Sequence, residues 1–312
     1  MTKKVLKVVG IVLLVIIVLV ALLLIKGALT PAVPKDYTET VKTGGEIEAK
    51  YLKNGSFEVK YYEQKVDDDF AKYEVWYPSE MTDSSNKSPV LVVLNGTGVK
   101  ASKYKTQFEH FASWGFVVIG TEEEEAWDGE AADSSLAFLI QQNENKDSLF
   151  YQKLDFDNVG VVGHSQGGAG VFNTVSVQDN SSVYKTAVSL SPTNEELADN
   201  LGWHYDVTKI HIPIIIFAGT KGDFEMKTVI PTEKLPEIYD KIDAPKVMAR
   251  KKNCEHGEML YSADGYVTAW FMWQLQGDEE AAKAFIGDEP ELEKNELYQE
   301  QRIDLETESA TP

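Results

Sequence analysis

Cysteine is almost missing from this chain. One residue, Cys254, among 312 excludes a disulfide within the sequence and gives no sign of an oxidising compartment. Histidine is scarce too: the five present form no Cys/His cluster with zinc spacing. Positive charge is in deficit, with 30 Lys and Arg against 50 Asp and Glu and a formal net charge of −20. Nothing in such a chain could neutralise a phosphate backbone, which excludes nucleic acid as a partner. The acidity is spread over many segments and serves mainly solubility. No internal repeat is present. What the chain does have is 43% apolar residues, enough for a substantial core, and one long run without charge.

That run is Val8–Ile25, with Lys3, Lys4 and Lys7 before it and Lys26 after. As a helix rising 1.5 Å per residue it just spans a hydrocarbon core of roughly 30 Å. The positive-inside bias keeps residues 1–7 in the cytoplasm and puts everything after Lys26 outside. A cleaved signal peptide is the competing reading. Its apolar region is usually about 7–15 residues, shorter than this run, and Ala28-Leu29-Thr30 is a poor cleavage site. No cysteine stands near the segment for lipid attachment. The expectation is a single-pass anchor over residues 8–25, then a linker over 26–44 stiffened by Pro31 and Pro34.

Beyond the linker, short apolar runs alternate with helical spacing. Phe70–Tyr77, Val90–Leu94, Phe116–Ile119, Asn158–Val162, Ala187–Leu190, Ile212–Ala218 and Lys246–Arg250 read as strands, the last of these closing the set. Tyr104–Trp114, Ser134–Gln142, Gly265–Gln276 and Glu279–Ile286 read as helices. This alternation predicts an α/β domain over residues 45–287, a mostly parallel sheet with helices on both faces. From Asp288 onward the chain is rich in Glu and poor in apolar residues, which predicts an acidic, disordered tail over 288–312.

Gly163-His164-Ser165-Gln166-Gly167 interrupts this pattern with a chemical signal. It follows a short β-branched strand and precedes small, then apolar, helical residues. A serine on such a turn, with glycines where a Cβ would clash, is exposed as a nucleophile. Serine is a weak nucleophile alone and needs a base, which in turn needs an orienting acid. Asp223, in the Gly-rich loop after Ile212–Ala218, is the candidate acid, with Glu225 as its rival. His164 lies inside the turn, His110 and His204 precede the acid, and His211 starts a strand at the wrong end of the sheet. His256, in the loop after Lys246–Arg250, is therefore the candidate base. Amide donors for an oxyanion are expected at Gln166 and at Thr97, in the loop Asn95-Gly96-Thr97-Gly98.

With these residues in place, the chain resembles the chlorophyllase and cutinase-like polyesterase branch of the α/β-hydrolases, with dienelactone-hydrolase-like relatives. The similarity runs from about Phe70 to Ile286. Phe111–Val118 resembles the family's LASHGFVV segment, Gly163–Gly168 its GHSxGG turn, and Pro213–Asp223 its strand ending in GxxxD. Cys254-Glu255-His256 stands where the family has its histidine, and Tyr266–Phe285 resembles its closing segment. The resemblance implies an α/β-hydrolase fold and a triad of Ser165, Asp223 and His256, with Thr97 and Gln166 as oxyanion donors and no cofactor or metal. Two departures stand out: polyester-cleaving members usually carry an aromatic at the position of Thr97 and a Trp at that of Thr193.

The expected protein is thus a membrane-anchored, extracytoplasmic serine esterase whose partners are an ester substrate and the membrane. Gly96, Thr193 and Trp127 are candidates for lining the substrate site. Glu122-Glu123-Glu124-Glu125 reads as a solvated acidic loop. Lipase action or acyl transfer on envelope esters are alternatives, and a catalytically silent surface scaffold or adhesion protein is the alternative of another class.

Overall fold

Burial follows the apolar runs. The computed structural model describes residues 30–82 and 86–305. The chain divides into two units, Met1–Ala32 and Val33–Pro312, and the second holds the structure that follows. The run Val8–Ile25 lies outside the described residues. Among the described residues no helix is long and apolar enough to cross a membrane.

Nine strands among the described residues form one sheet in the order β1-β2-β4-β3-β5-β6-β7-β8-β9. They are β1 Val59–Lys65, β2 Lys72–Pro78, β3 Ser88–Leu94, β4 Val117–Thr121, β5 Leu154–His164, β6 Tyr184–Leu190, β7 Ile214–Lys221, β8 Lys246–Glu255 and β9 Tyr298–Asp304. The block from β4 to β8 is parallel, whereas β1, β2 and β9 add antiparallel edges. Parallel strands covered on both faces need apolar side chains in continuous runs, and Val90–Leu94 and Ile214–Ala218 are fully or almost fully buried.

The helices are α1 Tyr37–Thr40, α2 Glu46–Leu52, α3 Lys105–Ser113, α4 Glu130–Glu144, α5 Gln166–Thr174, α6 Glu195–Leu201, α7 Lys234–Lys241, α8 Met259–Ser262, α9 Asp264–Gln276, α10 Glu279–Ala282 and α11 Glu291–Lys294. Alternate strand residues sort to the two faces. Val90, Val92, Leu94, Val159, Val161, Ile214 and Ile216 share one core with Leu136 and Leu139 of α4, Val171 and Phe172 of α5, and Leu235 and Ile238 of α7. On the other face α9 packs on β5 and β6, where the indole of Trp270 donates to Thr186 Oγ1 at 2.7 Å.

Both ends of the domain depart from expectation. Residues 33–44, expected as linker, are packed onto the body: Val33 and Tyr37 are fully buried, and the Tyr37 ring meets His110 and Tyr261 edge-on. Residues 298–304, expected in a disordered tail, form β9, which pairs with β8 through Val247 opposite Ile303 and Met248 opposite Arg302. Lys246–Arg250 is therefore not in the last strand. The physical reason is that an edge strand needs little apolar surface and tolerates charge. Glu300 pairs with Arg250 at 3.2 Å and Arg302 with Asp240 at 2.5 Å, while Tyr298 and Leu292 supply the buried anchors.

One buried carboxyl makes stability depend on pH. Asp264 is fully buried, and Gln107 Nε2 donates to its two oxygens at 3.0 and 3.1 Å. Burial raises its pKa to about 8, against the opposing effect of hydrogen bonding and of the Lys251 charge. A carboxyl whose folded-state pKa exceeds its unfolded value binds its proton more tightly when folded. Its contribution is complete below the unfolded pKa of about 4 and is lost as pH rises through the folded value. Urea unfolding between pH 5 and 8 should therefore show wild type losing stability relative to Asp264→Asn, by on the order of 1 kcal/mol per pH unit. Parallel curves for the two proteins would contradict this assignment.

Candidate active site

The serine is held out by strain. β5 ends at His164, α5 begins at Gln166, and Ser165 between them has φ 60° and ψ −117°. A non-glycine residue there is costly and persists only where the surroundings over-determine it. The Ser165 N–H is fixed to Leu190 O at 2.9 Å. A Cβ at Gly163 would lie 2.2 Å from Gly167 O, and one at Gly167 would lie 2.5 Å from both Leu94 O and Asn95 O. Both glycines are required by close backbone approach.

His256 opens the 3-10 turn His256–Glu258 that follows β8. Its Nε2 lies 2.9 Å from Ser165 Oγ and its Nδ1 lies 2.7 Å from Glu225 Oε2. A carboxylate only accepts, so Nδ1 carries the proton and Nε2 is free to accept from the serine hydroxyl. The imidazole is 12% exposed and the Glu225 carboxylate is fully buried.

The acid on His256 is thus Glu225 and not Asp223. Asp223 has an 83% exposed side chain that pairs with Lys227 at 2.9 Å. The chain path explains the exchange. After Gly222, at φ +87°, the backbone enters a single π-helical turn, Phe224–Val229. That turn directs Asp223 outward and carries Glu225 under the sheet end. There Glu225 Oε1 accepts from the Gly219 N–H at 2.6 Å and from Ser191 Oγ at 2.7 Å. Burial by itself would raise the Glu225 pKa. Hydrogen bonds from His256 and Ser191, the His256 charge and the Gly219 amide outweigh it and hold the carboxyl below its usual value.

Three supporting residues escaped sequence reasoning. Ser191, at φ 42°, is strained in the position from which it donates to Glu225. His164 is buried, and burial followed by repulsion from His256 lowers its pKa to about 3. The neutral ring donates from Nε2 to the His256 carbonyl at 2.7 Å and so fixes the loop carrying the base. Arg250 is fully buried under the acid loop. Its guanidinium donates to Gly219 O at 3.0 Å on one side and to Ile230 O at 2.9 Å and Pro231 O at 2.7 Å on the other. No local signal marks Arg250, which is the first of three consecutive basic residues after Val247-Met248-Ala249.

Thr97 is exposed in the loop after β3, and Gln166 is buried at the start of α5. Neither amide has an acceptor among the described residues. The neighbouring Gly96 N–H is taken by Tyr104 Oη at 2.9 Å and the Gly98 N–H by Glu124 O at 3.1 Å. Thr193 is buried beside the serine, its N–H 3.4 Å from Ser165 O and its carbonyl bound by Tyr205 Oη at 2.8 Å. Trp127 is half-buried and offers its carbonyl to Asn173. Of the acidic run, Glu122 accepts from the Ser102 N–H at 2.8 Å and Glu124 pairs with Lys100 at 3.4 Å. Cys254 is buried, and burial raises its thiol to about 11, so it is no rival nucleophile.

A family model described as PET hydrolase-like matches residues 38–299. The chain belongs to that family. It is an α/β-hydrolase family related to chlorophyllase and cutinase-like polyesterases, and membership places the chain among ester hydrolases. The matched span begins within α1 and ends at the second residue of β9, so it reaches beyond residues 45–287 at both ends. No curated protein matches the chain.

Proposed function

We propose that the protein is a serine esterase that cleaves carboxylic esters through Ser165, His256 and Glu225. The reading rests above all on one observation: a single imidazole joins a strained, half-buried serine to a buried carboxylate. His256 takes the Ser165 proton as Oγ attacks the ester carbonyl. Glu225 keeps the imidazole in the required tautomer and stabilises its cation. The free amides of Thr97 and Gln166 are the donors for the tetrahedral oxyanion. His256 then protonates the departing alcohol, and the same group activates the water that releases the acyl chain.

The substrate reading is narrower than the family name. Thr97 and Thr193 stand where polyester-cleaving members have aromatic rings, and Thr193 is buried rather than open to a ligand. Small soluble esters fit this site better than aromatic polyesters. The run Val8–Ile25 with Lys3, Lys4 and Lys7 before it supports a tether that leaves the domain outside the membrane.

Covalent labelling of the full chain with a fluorophosphonate probe tests the proposal. Wild type should label on Ser165, and Ser165→Ala should take no label. Wild type that stays unlabelled at long incubation while remaining folded would leave the silent-scaffold alternative in front.

A further inference from the structure

We propose that Phe224 forms the wall of the alcohol-side subsite, so that the site selects esters of apolar alcohols. This rests on the esterase reading above. The leaving oxygen must reach His256 Nε2 to receive its proton, so the alcohol occupies the space beside the imidazole. Besides Ser165, three side chains border that ring among the described residues. Glu225 sits below Nδ1 and is fully buried. His164 lies against it with ring centroids 4.6 Å apart and is also buried. Phe224 meets it edge-to-face at 5.0 Å and is 59% exposed.

Of these three, Phe224 alone presents a face to an incoming molecule. Among the described residues the other large exposed apolar side chains are Phe57, Tyr61, Val177, Leu201 and Ile286, and neither aromatic ring of that set meets the His256 ring. The turn that brings Glu225 inward is the same turn that leaves its neighbour Phe224 outside. A phenyl face at contact distance from the base gains by covering apolar surface of a ligand, and it offers a polar or charged alcohol nothing.

The two half-reactions isolate this role. In acylation the Ser165 Oγ–acyl bond forms, the acyl–O(alcohol) bond breaks, and the serine proton passes through His256 to the alcohol. In deacylation water attacks the acyl carbon, its proton passes to His256, and Ser165 recovers it as the acid leaves. The alcohol is absent from the second half, so a residue that touches only the alcohol acts on the first.

The experiment measures kcat/KM of the full chain on acetate esters of methanol, butanol and hexanol, for wild type, Phe224→Ala and Phe224→Leu. Wild type should gain about two- to threefold per added methylene. Phe224→Ala should lose most of that slope, so its deficit grows with alcohol length, and Phe224→Leu should keep part of it. The acetyl-enzyme formed from p-nitrophenyl acetate should hydrolyse at one common rate in all three. A uniform fall across the alcohols, or slowed deacylation in Phe224→Ala, would overturn the inference and leave Phe224 as mere support for His256. Wild type that hydrolyses these esters with no dependence on the alcohol also overturns it, and spares the esterase reading. Wild type that hydrolyses none of them and takes no fluorophosphonate label overturns both.

Discussion

Glu225→Gln is expected to lower kcat about 10⁴-fold, while Asp223→Asn changes it less than about twofold. The carboxamide introduced by Glu225→Gln can still accept from the Gly219 N–H and from Ser191, so the fold of the loop survives. What is lost is the charge on the oxygen facing His256 Nδ1. An amide there offers an N–H or a weak acceptor, which favours the wrong imidazole tautomer and leaves the imidazolium uncompensated. Asp223 faces solvent with Lys227, and an exposed pair of this kind contributes little to anything. Steady-state kinetics on p-nitrophenyl butyrate decide the matter. Inactive Asp223→Asn beside active Glu225→Gln would mean that the loop rearranges during catalysis and that the acid is the one the sequence favours.

The second large effect concerns stability. Lys251 is 7% exposed at its side chain and Glu48 is 1% exposed, with Nζ 3.0 Å from Oε1. Glu48 also accepts from the Gly44 N–H at 2.7 Å, Asn295 Nδ2 at 2.8 Å and Tyr298 Oη at 2.8 Å. One carboxylate thus joins the N-terminal segment to β8 and to the chain end. Lys251→Met removes the counter-charge and leaves a buried carboxylate, at a cost of about 3–5 kcal/mol. For a domain of this size that corresponds to a fall of roughly 6–15 °C in Tm. Adding Glu48→Gln to Lys251→Met should recover much of the loss, because a neutral pair needs no compensation. A single variant as stable as wild type would show that water reaches the pair.

The Glu48–Lys251 pair also shows where sequence reasoning stops. Val90–Leu94 and Ile214–Ala218 announce themselves because strands buried on both faces must be apolar throughout. The turn at Ser165 is legible because its glycines answer to clashes a few residues away. Glu48 and Lys251 are 203 residues apart, and nothing local marks either as buried. β9 escaped for a related reason: its charges are matched by Arg250 and Asp240, which no periodicity reveals. The exchange of Asp223 for Glu225 is subtler. Both stand in the same loop, and only the wider π-helical turn decides which carboxylate points inward. A longer side chain reaching from two residues further on satisfies the same imidazole.

The position of β9 bears on when the enzyme becomes competent during synthesis. The nucleophile, the base and the acid all precede residue 298 in the chain. Arg250, which grips both flanks of the acid loop, has its carboxylate partner in Glu300. Until that strand has emerged and docked, the guanidinium lacks its ion pair with Glu300, and the strand edge that carries it is uncovered. On the proposed mechanism, a nascent chain can therefore display Ser165 and His256 before the support under its acid loop is complete, and full activity is expected only once the C-terminal strand has docked.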